Sequence, residues 1–369
     1  MFANRRRLAG AFLALAAGLA VTGCASTDEP VAKDTNADEL VVGYSQSNNA
    51  EPYRAQLNIQ LQHYMKRYPK LKLLPITDAQ QDSGKQVSQV QNFITNNVDV
   101  LIVSPNESAP LTPPVEKACQ KDIPVIILDR TVNTDCYSSF IGGDNVEAGR
   151  KAGELAAKEL PDGGNVEAGR KAGELAAKEL PDGGNVEAGR KAGELAAKEL
   201  PDGGNVVVLQ GILSNQPQID RLKGFEEGIE SNSKIKVIKK REAKWLKPDA
   251  TRIMNQWLAQ DLDIDLVYAE NDPMALGAYQ AAAGKGMEKD IEFIGTDGLA
   301  IPDGGIRAVQ QGKLVGTFIY PTGAEEAAKT ANALAQGKKV QKEQVLGIPT
   351  VTQDNAAGLY KKYDFSDEG

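Results

Sequence analysis

The segment Pro124-Val125-Ile126-Ile127-Leu128-Asp129-Arg130 decides how the chain is to be folded. Its four central residues are apolar without alternation and three of them are β-branched. That suits a strand covered on both faces rather than one on a half-exposed sheet. Such strands belong to parallel sheets held between layers of helices. Pro124 has no amide hydrogen and so marks the strand's start, and Asp129 and Arg130 end it with two charged side chains. Sheets of this kind bind ligands beyond the carboxyl ends of their strands, so the terminating residues are the ones to examine.

The same pattern extends in both directions. Leu40–Gly43, Leu71–Leu74, Val98–Val103 and Ser139–Ile141 read as strands, with helices over Tyr53–Tyr68, over Lys85–Asn97 and up to Lys121. Later strands are expected at Val206–Leu209, Ile235–Ile238, Leu266–Tyr268, Glu292–Gly295 and Val315–Phe318. Helices are expected at Gln218–Ser231 and Ala250–Gln260. A chain of 369 residues is long for one domain and suits two α/β lobes with parallel sheets. Composition, 41% hydrophobic and 25% charged, is that of a globular protein. A formal net charge of −8 argues against nucleic acid as a partner.

The N-terminus has its own grammar. Arg5, Arg6 and Arg7 precede an apolar run from Leu8 to Val21, too short for a comfortable span and typical of an export signal. Val21-Thr22-Gly23-Cys24 resembles a bacterial lipobox, which implies cleavage after residue 23 and acylation of Cys24. The mature chain would keep 346 residues (369 − 23) behind a polar linker at 24–37. Contact with a membrane is then expected through the lipid anchor alone. Cys119 and Cys136 remain; in an exported chain they suit a disulfide, with two free thiols as the alternative.

The strand ends are polar throughout. Ser45, Gln46, Ser104, Asn106, Asp129, Arg130, Asp144, Asn271, Asp272, Asp297 and Tyr320 all follow predicted strands. Singly each is an ordinary helix cap; together they describe a hydrogen-bonding cleft. Asp129 beside Arg130 offers a two-oxygen acceptor and a five-donor fork, suited to adjacent hydroxyls. Tyr44, Tyr53, Tyr320 and Trp245 offer flat faces for a C–H-rich ring. No catalytic constellation competes. The single histidine, His63, lies in a helical pattern with no nucleophile elbow nearby, and no zinc, dinucleotide or phosphate-loop motif is present. No enzyme activity, cofactor or metal is expected.

Six segments together carry a family resemblance: VGYSQSNNAEPYR, PVIILDR, IGGDNVEAGRKAG, VVLQGI followed by DRLKGF, VYAENDPMALGA, and IGTDG. In this order they resemble the periplasmic solute-binding proteins of the ribose and galactose type. The resemblance implies two Rossmann-like lobes joined by a three-strand hinge (the type I periplasmic binding protein fold), closing on one monosaccharide. It implies a first lobe of 38–143 plus 321–350 and a second of 144–320 plus 351–364. Carried over residue by residue, it points to Asp129, Arg130, Arg221, Trp245, Asn271, Asp297 and Tyr320 as ligand contacts, with Ser45, Gln46, Tyr53, Arg54 and Ser104 completing the set. The first loop, with Ser45, Gln46 and Arg54, is closer to the galactofuranose-type branch than to ribose binders, and Gly143 replaces a frequent serine. Arg54, Arg130 and Arg221 against Asp129 and Asp297 favour a neutral sugar while leaving an acidic one open. A monomer delivering its sugar to an ABC transporter permease is implied, with coupling to a membrane sensor or chemoreceptor as the alternative. A repressor of the same core would begin with a DNA-binding helix-turn-helix, where this chain has its export signal.

One feature lies outside that pattern. NVEAGRKAGELAAKELPDGG is written three times without change, at 145–164, 165–184 and 185–204. Each copy makes a good helix, with Val146, Gly149, Ala152, Gly153, Ala156 and Leu160 on one small-residue face in the first. A single copy suffices for the fold. Two surplus copies, one and two or two and three, are expected to form an added helical hairpin on the second lobe.

Overall fold

The computed structural model describes residues 39–143, 184–199, 204–229 and 234–365. The export signal, Cys24, the linker, Asp144 and the hairpin expected of the surplus copies lie outside the described residues.

The first sheet uses β1 (Leu40–Gln46), β2 (Leu71–Leu73), β3 (Thr77–Asp78), β4 (Val100–Ser104), β5 (Val125–Leu128) and β6 (Ser139–Gly143). The second uses β7 (Gly204–Gln210), β8 (Ile235–Glu242), β9 (Leu266–Ala269) and β10 (Glu292–Ile294). A short ribbon pairs β11 (Thr317–Phe318) antiparallel with β13 (Thr350–Val351), and between these in sequence β12 (Glu343–Leu346) returns to the first sheet. Strand order is β12-β6-β5-β4-β1-β2, with β3 also on β1, in the first sheet and β10-β9-β7-β8 in the second. Within both sheets the pairings are parallel.

β5 is central and fully buried, with Ile126 in register with Ile102 and Ser139. Burial on both faces is what its uninterrupted apolar run demands. The strand expected at Val315–Phe318 is cut to two residues, although Val315 N–H still donates to the Phe293 carbonyl at 3.0 Å and Gly316 bridges to Ile294. The helix expected to reach Tyr68 ends at Met65 in a turn. Cys119 and Cys136 form a disulfide with Cα atoms 6.1 Å apart, tying the helix Ser108–Gln120 to the loop before β6. Closing a loop of this size contributes about 3 kcal/mol on the chain-entropy model.

The third repeat copy supplies the helix Gly184–Glu199, which packs on the helix Gln216–Ile229. Glycines make this crossing. A Cβ added at Gly189 would collide with the Arg221 carbonyl, and one at Gly224 with the Val186 carbonyl; Gly193 and Gly228 meet the same backbones in the next turn. Ala188, Ala192 and Ala196, completely buried, form the adjacent stripe. The small-residue face is thus a close backbone contact, and one copy satisfies it.

Removing residues 145–184 leaves 329 residues (369 − 40) with this helix in place. The shortened chain should be soluble and melt within a few degrees of the full chain by calorimetry. An unfolded product would show that the surplus copies are needed for the fold.

Candidate functional site

The carboxyl ends of β1, β4 and β5 converge on a buried charge cluster. Arg54, in the first turn of the helix Pro52–Met65, pairs through Nη2 with Asp129 and donates from Nη1 to Ser104 Oγ at 2.6 Å. Arg130 donates from Nη1 to the Asn106 carbonyl at 3.2 Å. Its Nη2 lies 3.7 Å from Glu51 and its Nε 3.8 Å from Asp129. Asn48 orients Glu51 by donating to its Oε1 at 2.6 Å. Arg54, Arg130, Glu51 and Asp129 are all buried.

The second sheet answers with an aromatic and acidic set. Arg221 donates to the Glu270 carbonyl and lies 3.4 Å from Asp297. Its guanidinium carbon sits 5.4 Å from the Trp245 ring centre and 5.1 Å from that of Tyr320. Trp245 lies on Gly211, where any Cβ would strike the indole. Asn271 caps its helix by accepting from Met274 N–H at 3.0 Å and donates to the Trp245 carbonyl at 3.1 Å. The two halves face each other: Arg130 is 6.0 Å from the Trp245 ring, and Tyr53 stands 5.8 Å from Tyr320.

Backbone geometry marks the same places. Asp129, Trp245 and Asp297 have φ values of 69°, 68° and 121°. Left-handed backbone is disfavoured for residues with a Cβ, and it gathers where a site holds a side chain in a required direction.

Electrostatics follow from burial. Burial opposes charge on Arg54, but Asp129 and Glu51 outweigh it and hold the guanidinium above its ordinary range. Arg130 goes the other way, to about 10, through burial and then the repulsion of Arg54. It is the least compensated cation of the cluster and still charged at neutral pH. Burial pushes Asp297 well up, against the pull of Arg221. Burial likewise lifts Glu270 to about 8 and Asp272 to about 7. These two serve as anchors: Glu270 accepts from Gly211 N–H at 2.7 Å, and Asp272 from Gly298 N–H at 2.8 Å and Thr317 Oγ1 at 2.6 Å.

Of the residues singled out from sequence, Arg54, Ser104, Asp129, Arg130, Arg221, Trp245, Asn271, Asp297, Tyr53 and Tyr320 come together here. Ser45 does not. Alternation along β1 puts it on the side of Gly43, which packs on Phe93, opposite Tyr44 and Gln46. Gln46 lies at the margin, donating to Asn58 Oδ1 at 3.0 Å. Tyr44 belongs to the core cluster and is fully buried. Glu51, Asn215 and Glu270 were not singled out. Glu51 and Asn215 precede helices and read as caps, and Glu270 is hidden beside the Asn271–Asp272 pair.

Several buried polar atoms lack a hydrogen-bond partner among the described residues: Arg54 Nε, Arg130 Nε and Asn106 Oδ1. Asn106 and Arg130 follow strands of the first sheet, and Arg54 opens the helix after β1; Ser45 Oγ of β1 and, by the second sheet, Tyr268 Oη and Thr296 Oγ1 are buried without a partner as well. Buried polar groups are normally satisfied.

Residues 42–177 and 182–339 match the family model of the periplasmic binding protein domain. The chain belongs to the periplasmic binding protein family. It is 30% identical over 345 residues to the xylitol-binding protein of Mycolicibacterium smegmatis, covering 92% of this chain and 84% of that one. Among solved structures, the fructose-binding periplasmic domain of a hybrid two-component system superposes with a TM-score of 0.70 at 32% identity, covering 88% and 94%. An ABC transporter solute-binding protein of Bacillus halodurans with bound myo-inositol gives 0.73 at 28% identity, covering 89% and 99%. The α/β fold with parallel sheets matches that of these neighbours.

Asp129→Ala should destabilise the chain by about 3–5 kcal/mol, because Arg54 is left buried without its counter-charge. The paired replacement Arg54→Met with Asp129→Leu should cost clearly less in urea titrations. Equal losses would remove the pair from the centre of this site.

Proposed function

We propose that the protein is an exported solute-binding lipoprotein that captures a neutral monosaccharide by lobe closure and delivers it to an ABC transporter permease. Pentoses and hexoses, furanose forms included, are the ligand class. The observation that carries the reading is the set of buried, unpartnered polar atoms Arg54 Nε, Arg130 Nε and Asn106 Oδ1 beside the Trp245, Tyr53 and Tyr320 rings. A sugar hydroxyl both accepts and donates, so one ring of them meets two donors and an acceptor together. Charge favours neutrality: Arg54, Arg130 and Arg221 stand against Glu51, Asp129 and Asp297, three formal charges on each side. The proteins it resembles carry xylitol, fructose and myo-inositol in their names, all uncharged polyhydroxy compounds.

A binding role is supported by the ion pairs that tie the cluster together and by the binding proteins it resembles. A second reading couples the same closure to a membrane sensor, and the resemblance to a domain of a two-component system favours it. Both readings share the ligand site.

A thermal-shift screen across pentoses, hexoses, polyols and sugar acids tests the ligand class, since a ligand that binds only the folded state raises its melting temperature. Neutral sugars or polyols should give the shift, and Asp129→Asn and Arg221→Ala should each abolish it. A response to sugar acids alone would overturn the neutral assignment. For the anchor, Cys24→Ala should release the protein from the membrane fraction of its cell; unaltered fractionation would exclude lipidation at Cys24.

A further inference from the structure

Asn215 ends the loop after β7 and starts the helix Gln216–Ile229, where its carbonyl accepts from Gln218 and Ile219 N–H at 3.2 Å each. An asparagine in that place ordinarily turns its side chain back to cap the helix, as Asn271 does for Met274. Asn215 instead directs both polar atoms elsewhere. Its Oδ1 accepts from Trp245 Nε1 at 2.9 Å, and its Nδ2 donates to the Asn106 carbonyl at 2.6 Å. Trp245 belongs to the second sheet's side and Asn106 to the first. The Asn106 carbonyl also receives Arg130 Nη1 at 3.2 Å, and the Trp245 carbonyl receives Asn271. One buried amide, 1% exposed, therefore joins the aromatic wall of one lobe to the arginine wall of the other.

We propose that Asn215 is a closure latch: a positioning residue that holds Trp245 against the Asn106–Arg130 loop in the closed state. The assignment rests on the lobe-closure reading above. The two bonds use one donor toward one lobe and one acceptor toward the other, so no single-function side chain replaces it. Opening breaks the Asn106 bond and returns both partners to water. The latch therefore stabilises the closed state over the open one and leaves the encounter of ligand with the open cleft unaffected.

The test uses the mature chain and the variants Asn215→Ala and Asn215→Asp. The aspartate keeps the acceptor for Trp245 but sets a carboxylate against the Asn106 carbonyl. Stopped-flow titrations take xylitol, D-fructose and myo-inositol as probes. Dissociation should quicken about five- to tenfold in both variants, the size of one hydrogen bond, with association and the unliganded melting temperature unchanged. Unchanged dissociation overturns the latch. Slowed association together with a lowered melting temperature also overturns it, marking Asn215 as a merely structural residue. If none of the probes binds wild type, the sugar reading fails separately and small-angle scattering of the unliganded chains decides. A larger radius of gyration in the variants then supports the latch, and equal radii sink it.

Discussion

A guanidinium as deep as that of Arg54, with a side chain 2% exposed, must have its charge met where it stands. Leaving it unpaired costs several kcal/mol. Asp129 meets it, and to do so takes a left-handed backbone at the end of β5. That single requirement fixes the neighbourhood. Arg130, the next residue, is thrown toward Glu51 and Asn106, and its charge is only partly answered because Arg54 has already claimed the nearer carboxylate. The site's open hydrogen-bonding capacity arises from this unequal sharing.

The fold makes the sharing possible by bringing strand ends together from residues far apart in sequence. Parallel strands present their carboxyl ends on one edge, so Ser104, Asp129 and the start of the helix Pro52–Met65 meet although the chain separates them. In the second lobe, Arg221 depends on a less visible constraint. Its own carbonyl lies against Gly189 of the third repeat copy, so the spacing of two helix backbones sets where its guanidinium arrives. The repeated segment thus reaches the site through packing, without contributing a ligand-facing side chain from its described copy.

Much of this was legible because burial on both faces leaves a plain signature. PVIIL cannot be a surface strand, and the Asp129-Arg130 pair follows it directly. The same logic exposed Asn271 and Asp297. Ser45 was misplaced because strand faces alternate at every residue, and the sequence of β1 is apolar enough on both faces to conceal which side meets the cleft. Glu51 and Asn215 were hidden for another reason. Asparagine or glutamate just before a helix usually satisfies backbone N–H groups, and only the three-dimensional approach of Arg130 to Glu51, and of the other lobe to Asn215, gives them different partners. The triple repeat was legible as helix, yet nothing in three identical copies tells which one meets the glycines of Gln216–Ile229.

The unsatisfied polar atoms beside the aromatic rings bear on how a ligand would enter. Arg54 Nε, Arg130 Nε and Asn106 Oδ1 all belong to the first lobe, whereas Trp245 and Arg221 of the second already have their polar atoms engaged. On the proposed reading a polyhydroxy ring meets these three groups on the first lobe. The second lobe then adds an aromatic face and the Asp297 carboxyl, and the Asn215 latch holds only when the cleft shuts. A ligand carrying a carboxylate would fit this order poorly. It would pair with Arg130 in the first lobe, and closure would then bring the buried Asp297 carboxyl, already pushed toward its neutral form, against a further negative charge.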